Sequence, residues 1–163
     1  MKAVLISINP EWCAKIASGE KTIEVRKTRP KMNPPFKCYI YCTKAKEGRF
    51  ITARQFLAMW GKRQKVVGEF ICDRVTDLFA NSRFWLNEDD ILRTCLTVDE
   101  IRAYANGANE LYGWHISNLK VYDHAHDLWE FTGLRQTKFG LAPGPITRPP
   151  QSWRYVEEEI WND

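Results

Sequence analysis

The amino-acid sequence predicts an α+β domain built on a mostly antiparallel sheet that closes into a barrel, with helices flanking it. Two observations carry this. Six β-branched or aromatic segments are interrupted by three helical patterns, with no regular strand–helix–strand repeat. At 163 residues, with 44% hydrophobic residues and 21 aromatic side chains, the chain suits one packed core, so a single domain over 1–163 is expected.

The predicted strands are 3–8 (AVLISI), 22–27 (TIEVRK), 36–43 (FKCYIYCT), 66–75 (VVGEFICDRV), 114–123 (WHISNLKVYD) and 152–158 (SWRYVEE). Gly68 inside the fourth marks a bulge or a close backbone approach. The first helix follows Asn9 as cap, takes Pro10 at its first position, stacks Trp12 one turn below Ile16 and stops at Gly19. The second, 52–61 (TARQFLAMWG), has Thr52 as cap, the apolar set Phe56, Leu57 and Trp60, and Gly61 as stop. The third, 97–107, opens on a Thr97–Glu100 capping box and closes on Asn106–Gly107. Residues 133–151, with three Gly and four Pro, read as one long loop, and loops of that length are often functional.

The net charge of +4 conceals an asymmetry: residues 1–65 hold 15 Lys plus Arg against 4 acids, and residues 66–163 hold 9 against 16. A basic half suits a polyanionic partner, unless folding intermixes the charges. No apolar run approaches the roughly 18 residues of a membrane span, and the N-terminal apolar stretch is too short for a signal peptide. A cytoplasmic protein without membrane association is therefore expected.

Cys38 and Cys42 form the one close cysteine pair. Zinc competes here with a shared strand face, and no second ligand pair follows, so no metal is expected. His124 and His126 have an H-x-H spacing in what reads as a polar turn before a short helix, again without a further ligand cluster. No G-x-S-x-G, Walker A or dinucleotide motif is present, so no cofactor is expected.

The most informative stretch is SGEKTIEVRKTRP, residues 18–30. Gly19 ends a helix, Glu20–Lys21 make the corner, and alternation sends Ile23 and Val25 to the core while Thr22, Glu24 and Arg26 share the other face. That polar face is either a charge-protected edge strand or a ligand-reading surface. Lys21 is placed for a phosphate or a base carbonyl, and Lys27, Arg29 and Lys31 extend the positive field. A Ser7 hydroxyl facing the same cleft would fit. Trp153 and Tyr155 offer stacking surfaces beside Arg154, or simply core. His115 is a candidate acid–base group, opposite in direction to Trp114.

The run INPEWCAKIASGEKTIEVRK resembles the ASCH domain, whose pattern is Gly-x-Lys-x-x-Glu-x-Arg at a helix-to-strand junction. Here it reads Gly19-Glu20-Lys21-Thr22-Ile23-Glu24-Val25-Arg26. The segments KVVGEFICDRV, YGWHISNLKVYD and ITRPPQSWRYVEE also resemble those of phage and prophage ASCH-type proteins. The resemblance implies a PUA-like β-barrel binding RNA or a modified nucleotide beside Lys21, Glu24 and Arg26. It also implies a hydrolase alternative. Some members are amidohydrolases of acetylated cytidine using a lysine, a threonine and a glutamate; Lys21 matches the lysine, but Glu24 stands where the threonine would be. Other members are ribonucleases, in which case Lys21 and Glu24 would be the catalytic pair. A third alternative is a phage factor whose basic face meets an acidic host protein.

Overall fold

The computed structural model describes residues 1–44, 62–80, 83–84 and 87–159. In chain order these form β1 (Lys2–Ile8), α1 (Pro10–Ala17), β2 (Ile23–Arg26), β3 (Phe36–Cys42), β4 (Lys65–Ala80), β5 (Arg83–Phe84), α2 (Glu88–Thr94), α3 (Val98–Ala105), β6 (Leu111–His126), a 3-10 turn (Leu128–Glu130), β7 (Thr132–Thr137), β8 (Gly140–Pro145) and β9 (Trp153–Glu157). The helix expected at 52–61 lies outside the described residues.

β1 forms the spine of a seven-stranded sheet of order β2-β6-β4-β3-β1-β9, with β5 paired to β4. It runs parallel to β3 and antiparallel to β9. The parallel pair needs a crossover, which α1 and β2 supply. Ala3 to Ile8 are all buried because both faces of β1 are covered. Val4, Ile6 and Ile8 join Cys13 and Ile16 of α1, Cys38, Ile40, Phe70 and Trp114 on one side. Ala3 and Leu5 join Tyr39, Tyr122, Phe131, Ile146 and Val156 on the other. A third cluster (Val25, Leu78, Ile101, Ala105, Leu111) seats α3.

The α+β class and the mostly antiparallel sheet follow the expectation, and closure differs from it. Among the described residues no backbone pairing joins the end strands β2 and β9. Hydrogen bonds tie β9 to the segment that follows β2 instead. Trp153 Nε1 donates to Thr28 Oγ1 at 2.9 Å, and the Lys31 amide donates to Tyr155 Oη at 2.7 Å. Strongly twisted long strands curl a sheet in this way.

Local chemistry sets the bends. Gly68 pairs with Ile40 at the edge of a register shift that leaves Val67 as the extra residue, and a Cβ on Gly68 would lie 2.5 Å from the Lys120 carbonyl, so bulge and close approach adjoin. Gly19 takes φ +81° behind α1, a conformation that releases the chain into the β2 corner. Asn9 occupies the cap position of α1 without a capping bond from its side chain; its Oδ1 accepts from Thr43 Oγ1 instead. The Thr97–Glu100 box is present and Asn106 is left-handed, as the sequence predicts. α2, capped by Asn87, was not anticipated, since a seven-residue helix of mostly polar residues that buries only Thr94 carries no apolar periodicity. Most of the long loop expected at 133–151 is a hairpin. β7 and β8 pair from Thr132↔Pro145 to Thr137↔Gly140, with the prolines at edge positions that donate no ladder bond.

Candidate functional site

Every residue of β2 is buried, which excludes a solvated edge strand. Ile23 and Val25 fill the core, and alternation turns Glu24 and Arg26 into a cleft of about 920 Å³ between α1, β2 and α3. Lys21, at the corner before β2, is only 2% exposed. Burying three charged side chains so close together is costly unless each is paired.

They are paired. Glu24 Oε2 lies 3.3 Å from Lys21 Nζ, and its Oε1 lies 2.8 Å from Arg26 Nη2. Lys21 also donates to the Thr94 carbonyl at 2.7 Å, at the C-terminal end of α2, where a cation is favoured. Arg26 Nη2 donates to the Ser7 carbonyl at 2.7 Å. Arg26 Nε is buried and has no hydrogen-bond partner.

The walls are aromatic and polar. Trp12 lines the cleft on α1, with Lys21 Nζ 5.1 Å and Lys15 Nζ 5.2 Å from its ring. Trp12 also packs against the core cluster that holds Cys13 and Ile16, so the ring serves both the core edge and the cleft. Tyr104 lines the opposite wall on α3, 39% exposed, with Lys27 Nζ 5.4 Å from its ring. Burial pushes the Tyr104 phenol above its ordinary range. Asn9, Thr43 and Gln151 add hydrogen-bonding groups. Among the described lining residues the formal charges balance, with Lys21, Arg26 and Lys44 against Glu11, Glu24 and Glu100.

Of the residues singled out in the sequence, Ser7, Lys21, Glu24 and Arg26 meet in this cleft. Ser7 Oγ donates to the Pro150 carbonyl at 2.6 Å and ties the 146–151 segment to β1. Lys27 stands at the rim over Tyr104, and Arg29 lies over the Tyr112 ring at 5.8 Å, neither lining the cleft. Trp153 and Tyr155 lie elsewhere, in the seam between β9 and β2. Trp153 packs on Trp114 at 5.9 Å and on Tyr155 at 5.4 Å, so both aromatics serve the core edge. Trp12 and Tyr104 were missed. The signal available was Trp12 three residues after the cap Asn9, on the same helix end that delivers the motif.

His115 points away from Trp114, as alternation requires, into a separate polar pocket with Thr22, Asp73, Arg74 and Arg93. Arg74 Nη2 stands 3.1 Å from Nδ1 and Thr76 Oγ1 2.7 Å from Nε2. Arginine only donates, so Nδ1 is the acceptor and Nε2 carries the proton. Burial, then the Arg74 charge, lowers its pKa. Cys38 and Cys42 share the buried strand face and are free thiols. His126 Nδ1 meets Glu130 Oε2 at 3.1 Å, while His124 is exposed. Among the described residues no group of three or more His, Cys, Asp or Glu converges as a metal site. Among them, too, no helix is long and apolar enough to cross a membrane.

No family model and no curated protein matches the chain. Solved structures do. An ASCH protein from Zymomonas mobilis superimposes with a TM-score of 0.58 at 18% identity, over 96% of this chain and 88% of that one. A tyrosine-to-phenylalanine mutant of that protein gives 0.56 at 18% over 97% and 92%, and a serine-to-alanine mutant 0.58 at 16% over 96% and 89%. At that identity the likeness establishes the fold, and the chain has the ASCH fold.

Proposed function

We propose that the cleft beside Lys21, Glu24 and Arg26 binds RNA through an unpaired or modified nucleobase, in a PUA-like fold whose barrel is closed by side chains. The observation that carries this reading is the buried Lys21–Glu24–Arg26 chain lining a cleft walled by Trp12 and Tyr104, with Arg26 Nε left without a partner. The charge balance of the lining favours a neutral, polar, planar group over a phosphate cluster. Trp12 and Tyr104 supply ring faces for such a group, and a base presents both acceptors and a π face.

Binding is better supported than hydrolysis. Both Glu24 oxygens face cations, and the Ser7 hydroxyl donates to Pro150 rather than to a base. Neither arrangement activates a nucleophile. The test uses Tyr104→Ala, which removes a cleft wall that is already partly exposed, with RNA and nucleotide titrations and a melting curve. Affinity for short single-stranded RNA should fall while the melting temperature holds. Unchanged affinity refutes the cleft reading. RNA or acetylcytidine turnover that Glu24→Gln abolishes at a temperature where its melting curve shows the variant still folded would instead establish the hydrolase.

A further inference from the structure

From the β7–β8 hairpin we infer a second RNA contact, one that grips single-stranded RNA beyond the nucleotide held in the cleft. The inference rests on the reading of the cleft as an RNA site. Alternation turns Gly133 inward, against Ile146 and Arg154, and turns Leu134 outward. Leu134, Leu141 and the tip residue Phe139 are 54%, 69% and 89% exposed. An exposed hairpin face of this kind needs a function to justify its exposure.

Charge identifies the occupant. From Phe131 to Val156 the chain carries Arg135, Lys138, Arg148 and Arg154 and not one Asp or Glu. Arg154 is spent on the Leu134 carbonyl, tying the hairpin to β9, while Arg135, Lys138 and Arg148 are exposed. Lys138 Nζ lies 5.0 Å from the Phe139 ring centroid. An aromatic ring beside an exposed ammonium, on an acid-free arm, suits a base stacked above a phosphate. An apolar protein groove would not call for the cations, and an acidic protein would not call for the ring.

Position supports the same occupant. The 146–151 segment runs from the foot of the hairpin to the cleft wall, where Gln151 lines the cleft and Pro150 accepts from Ser7. β8 itself extends about 17 Å from foot to tip at the usual strand rise. A strand of several nucleotides seated in the cleft can therefore run past Arg148 toward Phe139.

The experiment titrates fluorescent unstructured RNAs of about 3 and about 15 nucleotides, a range set by typical single-strand site sizes. Wild type, Phe139→Ala, Lys138→Ala/Arg148→Ala and Tyr104→Ala are compared, each with a melting curve. Phe139→Ala should weaken the long RNA roughly tenfold and leave the short one unchanged. The Lys138→Ala/Arg148→Ala pair should flatten the salt dependence of the long RNA by roughly one to two phosphates' worth of slope. Equal affinity of wild type and Phe139→Ala for the long RNA overturns the hairpin contact and leaves the cleft reading standing if Tyr104→Ala weakens both RNAs. Loss of the long RNA in Phe139→Ala with no effect of Tyr104→Ala keeps the hairpin and removes the cleft. Failure of wild type to bind either RNA overturns both. A nuclease-resistant protein complex that depends on Phe139, without an RNA effect, overturns the inference in favour of protein docking.

Discussion

Substituting the members of the buried ion chain singly and together measures what holds the cleft in shape. At an effective dielectric of about 20, the 3.3 Å Lys21–Glu24 and 2.8 Å Glu24–Arg26 contacts are each worth roughly 5–6 kcal/mol of gross attraction. Desolvation offsets most of that, so the net worth of the chain is small while breaking it is expensive. Lys21→Met leaves Glu24 with Arg26 but orphans the Thr94 carbonyl, a loss of about 3 kcal/mol. Glu24→Gln leaves two buried cations with no anion between them, and its cost lies at about 5 kcal/mol, the upper end for a broken buried pair. For a chain of this length about 3 kcal/mol lowers the melting temperature by about 6–12 °C. Urea unfolding of the two single variants and the double variant provides the cycle. Lys21→Met/Glu24→Gln should be less destabilised than the sum of its parts by about 1–3 kcal/mol. Additive costs, or a Lys21→Met variant as destabilised as Glu24→Gln, would show that the three charges do not act as one unit.

Three further outcomes follow from particular contacts. Gly68→Ala places a methyl 2.5 Å from the Lys120 carbonyl in the middle of the β4–β6 pairing, and should cost about 1–3 kcal/mol in a thermal melt. His115 has its folded-state pKa lowered, so the unfolded chain binds its proton more readily. The stability this group contributes is therefore fully present above about pH 6.5 and is lost as pH falls through the folded value. Burial sets that shift first and the Arg74 and Arg93 charges add to it, while Asp90 and Asp73 oppose it, and His115→Gln should flatten the stability difference between about pH 7.5 and about pH 5.5 seen in urea. Burial pushes the Cys72 thiol up to about 12 and the Cys13 and Cys38 thiols well above their ordinary range. Cys42 is buried as well and Cys95 half-buried, so a thiol reagent should label Cys95 first in the native protein, as peptide mapping would report.

The strands were legible because their signals are local. Residues 3–8, 36–43 and 66–75 are continuous apolar or alternating runs, and the corresponding strands begin and end within a few positions of them. The α3 cap was legible because a Thr–Glu box leaves few other local options. The hairpin at 132–145 was not, since Gly and Pro suppress the strand signal, and the pairing of Thr132–Thr137 with Gly140–Pro145 and the Arg154 tie to the Leu134 carbonyl are not local signals. The polar face of β2 could be placed by alternation, but alternation cannot say whether a polar face meets water or a cleft. That was decided by α2 and α3, whose docking covers Lys21 and Glu24. The same blindness hid the second role of Trp12: its spacing to Ile16 places it at the core edge, and nothing in that spacing says that the ring also lines a cleft.

The charge distribution has a consequence for how the proposed ligand is divided. The N-terminal 65 residues carry an excess of eleven positive charges, and that excess alone would suggest a phosphate-binding cleft. Folding removes it from the cleft: Lys21 and Arg26 are bound to Glu24, and Glu11 and Glu100 answer the remaining lysine in the lining. Lys27 stays exposed at the rim, Lys31 at the seam with β9, and Arg135, Lys138 and Arg148 on the hairpin arm. On the proposed reading, recognition and affinity are thus carried by different side chains. The cleft, whose described lining is balanced in charge, discriminates by hydrogen-bond pattern and ring contact, terms that salt does not screen. The exposed cations hold the backbone, a term that salt weakens steeply. Salt should therefore erode affinity for long RNA much faster than it erodes discrimination between bases. A site whose specificity vanished together with its affinity as ionic strength rose would be reading phosphates, and the buried Lys21–Glu24–Arg26 chain would then be only a structural clamp.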